Sequence, residues 1–224
     1  MDTERRTTPL GAPWALRLAT TTLPTPWAIF GSTAYRSTLD GVEHLAVTLG
    51  ELGSTDGPAP LVRLHSECLT GDVFSSGRCD CGAQLHQALE NIAEAGRGVV
   101  VYLRGHEGRG IGLAGKIQAY QLQDGGLDTV DANTAQGLPV DARDYAIGAH
   151  ILADLGVASL RLMTNNPAKI DALRAAGLHV VECIPVRIPP TRYNQAYLET
   201  KQARMGHLLD LGRPPQPPQP PEQP

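Results

Sequence analysis

The sequence predicts an α/β fold, with a layered mixed sheet, helices on both faces and an N-terminal antiparallel β section. Three observations support this class. From about residue 84 onward, apolar runs of strand length alternate with stretches of helical periodicity, which favours a partly parallel sheet. Before residue 70 the chain instead contains β-rich runs with no helical stretch between them. One run, GVVVYLRG at 98–105, is almost continuously apolar, as expected of a strand covered on both faces.

Three β-rich runs are predicted to form the antiparallel section. They are WAIFGSTAYR at 27–36, EHLAVTLGEL at 43–52 and APLVRLHSE at 59–67. Turn-forming residues separate them, first at Asp40 and Gly41 and then at 56–58. Such turns allow neighbouring strands to pair, and the chain shows no internal repeat.

Helical periodicity begins near residue 84. Leu85, Leu89 and Ile92 fall on one helical face, and Gly96 is predicted to end that helix. Asn166 is predicted as the N-cap of a later helix, because a proline follows it in the first turn. The remaining predicted elements are helices over 113–123, 142–155, 167–176 and 194–209, and strands over 159–165 and 179–186.

The chain is predicted to contain one catalytic domain, at 23–209, between two less ordered ends. Residues 1–22 are predicted to form a flexible N-terminal arm. Residues 210–224 are predicted to form a disordered tail, because the repeated prolines in RPPQPPQPPEQP supply neither backbone donors nor apolar surface for packing.

Composition excludes several classes of protein. The formal net charge of −4 argues against general attraction to nucleic acid or to an anionic membrane. No segment approaches the roughly eighteen apolar residues that a membrane span needs. Prolines and glycine interrupt the N-terminus, so no secretory signal is expected and a cytoplasmic location is predicted. Thiols stay reduced there, which favours metal-binding or catalytic cysteines over disulfides.

Three of the four cysteines lie close together, at Cys68, Cys79 and Cys81. Three thiolates with an open fourth position are typical of catalytic zinc, and the adjacent Glu67 favours chemistry on an activated water. The spacing alone leaves open a structural site closed by a histidine, His65 or His86, and also leaves open three buried free thiols. Cys183 lies in an apolar strand run and is predicted to be a core thiol that binds no metal.

Anion-binding positions are predicted at three places. The glycine-rich stretch 104–116, RGHEGRGIGLAGK, leaves a strand and enters a helix, and its basic residues Arg104, Arg109 and Lys116 suit phosphate oxygens. The segment 163–169, MTNNPAK, lies at the carboxyl end of a strand, where open α/β sheets bind ligands. The segment 141–144, DARD, opens a predicted helix. For the last two segments, simple helix capping and a surface charge remain open as alternatives.

Five segments in this order resemble GTP cyclohydrolase II, the enzyme family that opens GTP at the start of riboflavin synthesis. They are 63–85 (RLHSECLTGDVFSSGRCDCGAQL), 104–133 (RGHEGRGIGLAGKIQAYQLQDGGLDTVDAN), 141–145 (DARDY), 163–169 (MTNNPAK) and 194–209 (NQAYLETKQARMGHLL). The resemblance runs from about residue 23 to residue 209 without large gaps, and the linked motifs make it specific.

The resemblance implies the reaction, its cofactors and its site residues. The imidazole ring of GTP is hydrolysed, formate and pyrophosphate leave, and 2,5-diamino-6-(5-phosphoribosylamino)pyrimidin-4(3H)-one remains. It implies zinc at Cys68, Cys79 and Cys81, and Mg²⁺ with the substrate phosphates. It implies catalytic roles for Tyr120, for Asp141 as proton acceptor, and for Arg143 as nucleophile or electrostatic stabiliser. The implied GTP-binding positions are Arg63, Leu64, His65, Ser66, Glu67, Gln84, Glu107, Gly108, Arg109, Thr129, Thr164 and Lys169.

The resemblance also implies a homodimer, and the last helix, with Tyr197, Leu198 and Met205, is predicted to offer apolar surface for it. The butanone-phosphate synthase domain that is fused to some relatives is expected to be absent. Two alternative functions stay open. One is a related cyclohydrolase that stops at the formylated pyrimidine or serves a secondary pathway. The other is a non-catalytic, zinc-stabilised regulator that binds GTP. A zinc module for nucleic acid is disfavoured by the net charge.

Overall fold

A computed structural model describes residues 14–206 and residue 209. Its strands are β1 (Ala15–Pro24), β2 (Ile29–Ser37), β3 (Glu43–Leu49), β4 (Leu61–Ser66), β5 (Gly98–Leu103), β6 (Ser159–Met163) and β7 (His179–Ile184). Its helices are α1 (Leu69–Asp72), α2 (Cys81–Ala95), α3 (Gly112–Asp124), α4 (Thr129–Ala135), α5 (Ala146–Asp154), α6 (Pro167–Ala175) and α7 (Gln195–Met205), with a 3-10 turn at Glu107–Arg109. No helix in these residues is long and apolar enough to cross a membrane.

The strands form one mixed sheet in the order β1-β2-β3-β5-β4-β6-β7. Strands β1, β2, β3 and β5 pair antiparallel. Strands β5, β4, β6 and β7 pair parallel. The predicted fold class is confirmed, because the antiparallel section is N-terminal and the parallel section carries the intervening helices.

Each face of the sheet has its own apolar core. In β5, Val99 and Val101 point into a core that also contains Ile151 of α5 and Leu173 of α6. Val100 points the other way, into a core with residues of α2. This period of two within a continuous apolar run is expected of a central strand with helices on both faces.

Local sequence explains where several helices begin and end. Helix α2 ends at Gly96, which adopts a left-handed conformation with φ 68°. Helix α6 begins after Asn166, whose side chain accepts a hydrogen bond from the amide of Ala168. Both boundaries agree with the sequence predictions. Helix α4, which the sequence analysis missed, is capped by Asp128, whose carboxylate accepts from Val130 and Asp131.

Four predictions about the chain need correction. The run at 59–67, predicted to be antiparallel, forms β4, which pairs parallel with β5 and β6 because α2 returns the chain between β4 and β5. Residues 15–22 are not a loose arm, because they belong to β1 and pair with β2 along its length. The helix predicted over 142–155 begins at Ala146, since the segment before it binds its own side chains in turns. Cys183 is exposed and not a core thiol, because β7 is an edge strand with most of its side chains in solvent. Residues 1–13 and 210–224 of the predicted arm and tail lie outside the described residues.

The fold places a polar site at the carboxyl ends of the parallel strands. Along β4, Leu61 packs into the α2-side core, whereas Arg63 and His65 extend the same face of the strand toward the cavity described below. The residues after β5 and β6 reach that cavity from either side. Ligands of open α/β sheets bind at this edge, because the loops after parallel strands meet there.

Candidate active site

Two helix starts bring the three predicted metal ligands together. Cys68 is the N-cap of α1 and Cys81 is the first residue of α2, with Cys79 two positions before it. The three sulfur atoms lie within 4.8 Å of one another, and the Sγ atoms of Cys68 and Cys79 are 3.7 Å apart. A disulfide would need about 2.05 Å, so these are separate thiols.

Gly71 makes this close approach possible. A Cβ atom at position 71 would lie 2.7 Å from the Sγ of Cys79 and 3.0 Å from the Sγ of Cys68. A Cβ at Gly82 would lie 2.3 Å from the carbonyl oxygen of Gly71. Two glycines therefore let the starts of α1 and α2 pack against each other around the sulfur atoms.

The cluster fits a zinc ion by distance and by chemistry. Tetrahedral zinc with Zn–S bonds of about 2.3 Å needs sulfur atoms about 3.8 Å apart. Hydrogen bonds with Cys79 and Cys81 lower the pKa of Cys68, while the bond with Cys68 raises the pKa of Cys79 to about 11. Without a cation, one thiolate forms easily and the others resist ionisation. A divalent ion among the sulfur atoms would remove that resistance.

Neither candidate histidine completes this cluster in the described part of the chain. His65 instead directs its Nε2 atom to Asp72, 3.0 Å from Oδ1. The ring of His86 lies 5.3 Å from that of Trp27. The geometry therefore does not supply the fourth protein ligand that the structural Cys3His alternative requires.

Asp72 organises the loop that carries Cys68. Its carboxylate accepts hydrogen bonds from the amide of Cys68 at 3.0 Å and from the hydroxyl of Tyr102 at 2.8 Å, besides contacting His65. Burial lowers the pKa of His65, so the imidazole is neutral near pH 7. Because this buried carboxylate has three polar partners, it fixes the position of Cys68.

The sequence predicted that Lys116 would face a phosphate, and this prediction is wrong. Lys116 instead contacts the clustered thiols. Its Nζ atom is 3.0 Å from the Sγ of Cys68 and 2.6 Å from Oε1 of Glu107. The other oxygen of Glu107 accepts from the amide of Leu69 at 2.7 Å. Burial opposes the charge on Lys116, but these bonds outweigh it and raise the pKa of the ammonium group. We call Cys68, Cys79, Cys81, Lys116 and Glu107 the thiol wall.

The same cavity is also lined by Arg109, Arg143 and Lys169, which we call the cationic wall. Arg109 has a positive φ of 67° after Gly108, whose φ is 59°. This strained turn holds the guanidinium in a buried position, where neither terminal nitrogen has a hydrogen-bond partner in the described part of the chain. A buried cation without partners is costly, so this group is suited to an incoming anion.

Arg143 is held by Asp141, two residues before it. The Nε atom of Arg143 is 2.9 Å from Oδ1, and its Nη2 atom is 2.5 Å from Oδ2. Its remaining nitrogen lies 3.5 Å from the hydroxyl of Ser66, which contacts Nδ1 of His106 at 3.2 Å. Burial opposes its charge, but the hydrogen bonds to Asp141 outweigh it and raise the pKa of Arg143. Burial and the nearby cations Arg143 and Lys169 lower the pKa of His106 to about 4.

Lys169 lies at the floor of the cavity on α6. Its Nζ atom donates to the carbonyl oxygen of Leu64 at 2.7 Å. Burial lowers the pKa of this ammonium group well below its usual value, and the charges of Arg63 and Arg143 add to the effect. An anion would relieve this repulsion among the cations.

Tyr120 lines the cavity near the thiol wall, and Arg78 packs against its ring. The hydroxyl of Tyr120 is 3.4 Å from Oγ1 of Thr70, and the guanidinium carbon of Arg78 is 4.9 Å from the centre of the tyrosine ring. Burial raises the pKa of Tyr120 to about 12. The phenol therefore stays protonated near neutral pH and keeps a hydrogen to donate.

Most of the residues predicted from the sequence line this one cavity. Three do not: Arg104 is exposed and lies 3.9 Å from Glu67, Leu64 contributes its carbonyl oxygen to Lys169 from a buried strand, and Asp141 lies behind Arg143. The predicted residues that line it are Arg63, His65, Ser66, Glu67, Cys68, Cys79, Cys81, Gln84, Glu107, Gly108, Arg109, Tyr120, Thr129, Arg143, Thr164 and Lys169.

The lining residues that were not singled out from the sequence include His106, Asn133, Tyr197 and Lys201. His106 lies inside the glycine-rich stretch, between Gly105 and Glu107, which was a usable signal. Tyr197 and Lys201 lie on α7, which had been predicted to face a second subunit. Leu198 on that helix is only 1% exposed, so Tyr197 and Leu198 do not form the free apolar surface that was predicted.

Comparisons with known proteins agree with this arrangement. The family model for GTP cyclohydrolase II matches residues 16–185. A probable bifunctional riboflavin biosynthesis protein, RIBA 2, from Oryza sativa subsp. japonica is 59% identical, over 84% of this chain and 34% of that protein. The riboflavin biosynthesis protein RibBA of Mycobacteroides abscessus is 56% identical, over 89% of this chain and 49% of that protein. The RibBA of Aquifex aeolicus is 57% identical, over 86% and 47%.

The chain thus spans about a third to a half of the length of these curated relatives. The matched residues include all three clustered cysteines and both Asp141 and Arg143, but they stop before α7.

Proposed function

Because the chain belongs to the GTP cyclohydrolase II family, we propose that it opens the imidazole ring of GTP in riboflavin synthesis. The proposed products are formate, pyrophosphate and 2,5-diamino-6-(5-phosphoribosylamino)pyrimidin-4(3H)-one. The observation that carries the proposal is the juxtaposition of three clustered thiols with a set of buried cations in one cavity. The substrate needs both, since it has a ring to hydrolyse and a triphosphate to hold.

Cys68, Cys79 and Cys81 would hold one zinc ion. When bound, zinc supplies Lewis-acid activation and lowers the pKa of a water molecule to about 7. Lys116 keeps the sulfur of Cys68 in its anionic form, since its ammonium donates to that atom at 3.0 Å. Asp72 fixes the backbone of the same residue.

The cationic wall would hold the phosphates. Arg109 offers two buried terminal nitrogens that have no hydrogen-bond partner among the described residues, and Lys169 offers donors beyond its bond to Leu64. Mg²⁺ would accompany the phosphate oxygens, which it prefers as ligands together with water. Thr164 lies beside Lys169 in this part of the cavity, and Thr129 lies at the start of α4.

We assign Arg143 the role of an electrostatic stabiliser at the α-phosphate. A nucleophilic guanidine would have to lose a proton, but hydrogen bonding to Asp141 raises the pKa of Arg143 despite burial. Asp141 then serves to orient the guanidinium. A fixed cation facing developing charge on a phosphoryl group needs no reorganisation during the reaction.

Tyr120 is proposed to contact the base. Its hydroxyl keeps its proton near neutral pH and lies on the same side of the cavity as the thiol wall. Glu67 and Gln84 line the wall between β4 and α2. The Oε2 atom of Glu67 accepts from the amide of Gly105 at 2.8 Å, so this carboxylate also holds the glycine-rich stretch in place.

The catalytic domain is proposed to extend from β1 through α7, and a homodimer and a cytoplasmic location remain predictions. An edge surface supports association: Leu16, Leu18 and Leu23 of β1 and Ile29 of β2 are all exposed. Exposed apolar residues on an unpaired edge strand favour contact with another chain. Light scattering at micromolar concentration tests the dimer, and a monomer mass would contradict it.

Incubating the full chain with GTP and Mg²⁺ tests the proposed reaction, with products identified by mass and formate and pyrophosphate assayed separately. We expect both products in equal amounts and one zinc per chain. Pyrophosphate without formate would identify a cyclohydrolase that stops at the formylated pyrimidine. GTP binding without turnover would identify the regulator.

A further inference from the structure

The last helix, α7, contributes side chains to the cavity although it lies beyond the residues that the family model matches. That match ends at residue 185, whereas α7 spans Gln195–Met205. Tyr197 and Lys201 of this helix line the cavity. The contacts of Lys201 indicate what this helix contributes to the cavity.

Lys201 forms a buried ion pair with Asp80. Its Nζ atom lies 3.3 Å from Oδ1, and the two side chains are 12% and 4% exposed. The same ammonium lies 4.3 Å from the centre of the Tyr197 ring, one turn earlier on the helix. Both contacts hold the end of the lysine at one point of the cavity wall.

Asp80 connects the ammonium group of Lys201 to Gln84 of α2 and Arg63 of β4. Its second oxygen accepts from Nε2 of Gln84 at 2.5 Å, and Oε1 of Gln84 accepts from a terminal nitrogen of Arg63. Arg63 also donates to the carbonyl oxygen of Met163 at 3.1 Å. A continuous series of charge-assisted hydrogen bonds therefore runs from α7 through the loop between two of the clustered cysteines to the centre of β4.

We propose that Lys201 is a positioning residue: by holding Asp80, it fixes the orientation of Gln84 and Arg63, so that α7 completes the GTP site. This inference rests on the proposed function, because it deepens the account of how that site binds its substrate. It assigns a role in substrate binding to a segment that the sequence analysis had placed at a subunit interface.

The effect of losing Lys201 follows from the connections. Asp80 would keep its bond to Gln84 but lose its cation, leaving a buried carboxylate next to Cys79 and Cys81. Gln84 would stay bonded to Asp80 and Arg63, but Asp80 itself would no longer be fixed by a cation, so the orientation of Gln84 and Arg63 would be less constrained. Among the described residues, the buried Nε atom of Arg63 already has no hydrogen-bond partner. Loss of preorganisation at two binding positions weakens the affinity for substrate more than it slows the chemical step.

Lys201→Met in the full chain tests this role, because methionine keeps the apolar stem and removes only the charge. We expect KM for GTP to rise about tenfold, the effect of losing one hydrogen bond to a charged group, while kcat changes much less. Lys201→Arg should restore most of the affinity. Zinc content and melting temperature are measured on both variants.

Arg204→Met is the matched control on the same helix. Arg204 pairs with Asp128 and Asp131 of α4, with the Asp131 contact at 3.0 Å, and its side chain is 42% exposed. This variant removes a cation that holds α7 on its outer side, so KM should stay near the unmodified value. An equal rise in KM for Arg204→Met would overturn the proposal, since docking of the helix would then explain both.

An unchanged KM for Lys201→Met would also overturn it, as would failure of Lys201→Arg to recover affinity. Should the unmodified chain not turn over GTP, the proposed function fails, and calorimetric binding of GTP replaces KM. In that case Lys201→Met should still raise Kd about tenfold, and an unchanged Kd contradicts the positioning role.

Discussion

The thiol wall and the cationic wall of the cavity differ in how their charges are partnered. On the thiol wall, Lys116 is bound to both Cys68 and Glu107, and Glu107 is bound in turn to the backbone. On the cationic wall, neither terminal nitrogen of Arg109 has a hydrogen-bond partner among the described residues, and Lys169 donates to one backbone carbonyl. The first set is satisfied within the protein. On the cationic wall, Arg143 is paired with Asp141, whereas Arg109 and Lys169 keep donors that suit an anionic ligand. Under the proposed function, this difference would distinguish residues that support a metal from residues that bind the substrate.

The largest expected effect comes from removing a sulfur. Cys79→Ser should abolish zinc retention and formate release, because two thiolates no longer enclose the ion. Metal analysis and a formate assay measure both. Cys183→Ser is the control, since that thiol is exposed on β7 and lies outside the cluster. Full formate release from zinc-free protein would show that zinc is not needed for ring opening.

Arg143→Lys tests the cationic wall. Lysine keeps the charge but loses the planar fork that binds Asp141, so pyrophosphate release should fall about 100-fold to 1000-fold. Zinc content should not change. Arg36→Lys, at an exposed ion pair with Glu43, controls for the substitution itself. Pyrophosphate release at the unmodified rate would show that Arg143 is not needed to stabilise the phosphoryl transition state.

Two lysine variants sharpen the contrast between the walls. Lys116→Met should lower zinc affinity about 10-fold to 100-fold, because it removes a partner of a metal ligand. Lys169→Met should leave zinc affinity unchanged and raise KM for GTP. Competition with a chromophoric chelator measures the first effect and steady-state kinetics the second. Equal loss of zinc in both variants would show that the walls are not separate.

The smallest effect concerns pH. Burial and nearby cations lower the pKa of His106 to about 4, below the usual value of 6.5. The unfolded chain therefore takes up this proton first, and the contribution of His106 to stability is complete above about pH 6.5 and lost as pH falls toward 4. The loss is about 3 kcal/mol, and His106→Gln should remove it. Denaturant unfolding at several pH values measures it, and pyrophosphate should raise the pKa in an NMR titration.

The sequence predicted those structural features that depend on residues only a few positions apart. The alternation in β5, the glycine end of α2 and the Asn166 cap all lie within a few residues of what they determine. The cysteine spacing indicated a metal site for the same reason. Partner choice was not predictable in this way: the basic stretch indicated that Lys116 would face phosphate, but folding brings it to Cys68, forty-eight positions away.

The misplaced elements share a physical cause. Cys183 lies in an apolar run, yet it is exposed because β7 is the edge of the sheet, and edge position depends on strand order. Tyr197 and Lys201 belong to a helix whose apolar residues equally suit a subunit interface and the domain's own cavity. Only the docking of α7 against α4 and the loop at Asp80 distinguishes the two.

We propose that ring opening depends on the thiol wall and that phosphate cleavage depends on the cationic wall. The most direct test is the ratio of pyrophosphate to formate that Cys79→Ser releases from GTP in the presence of Mg²⁺. We expect formate to disappear while some pyrophosphate release persists and GMP accumulates, because Arg109, Arg143 and Lys169 are unchanged. Formate and pyrophosphate falling by the same factor, with the fold and GTP binding intact, would contradict this division of labour.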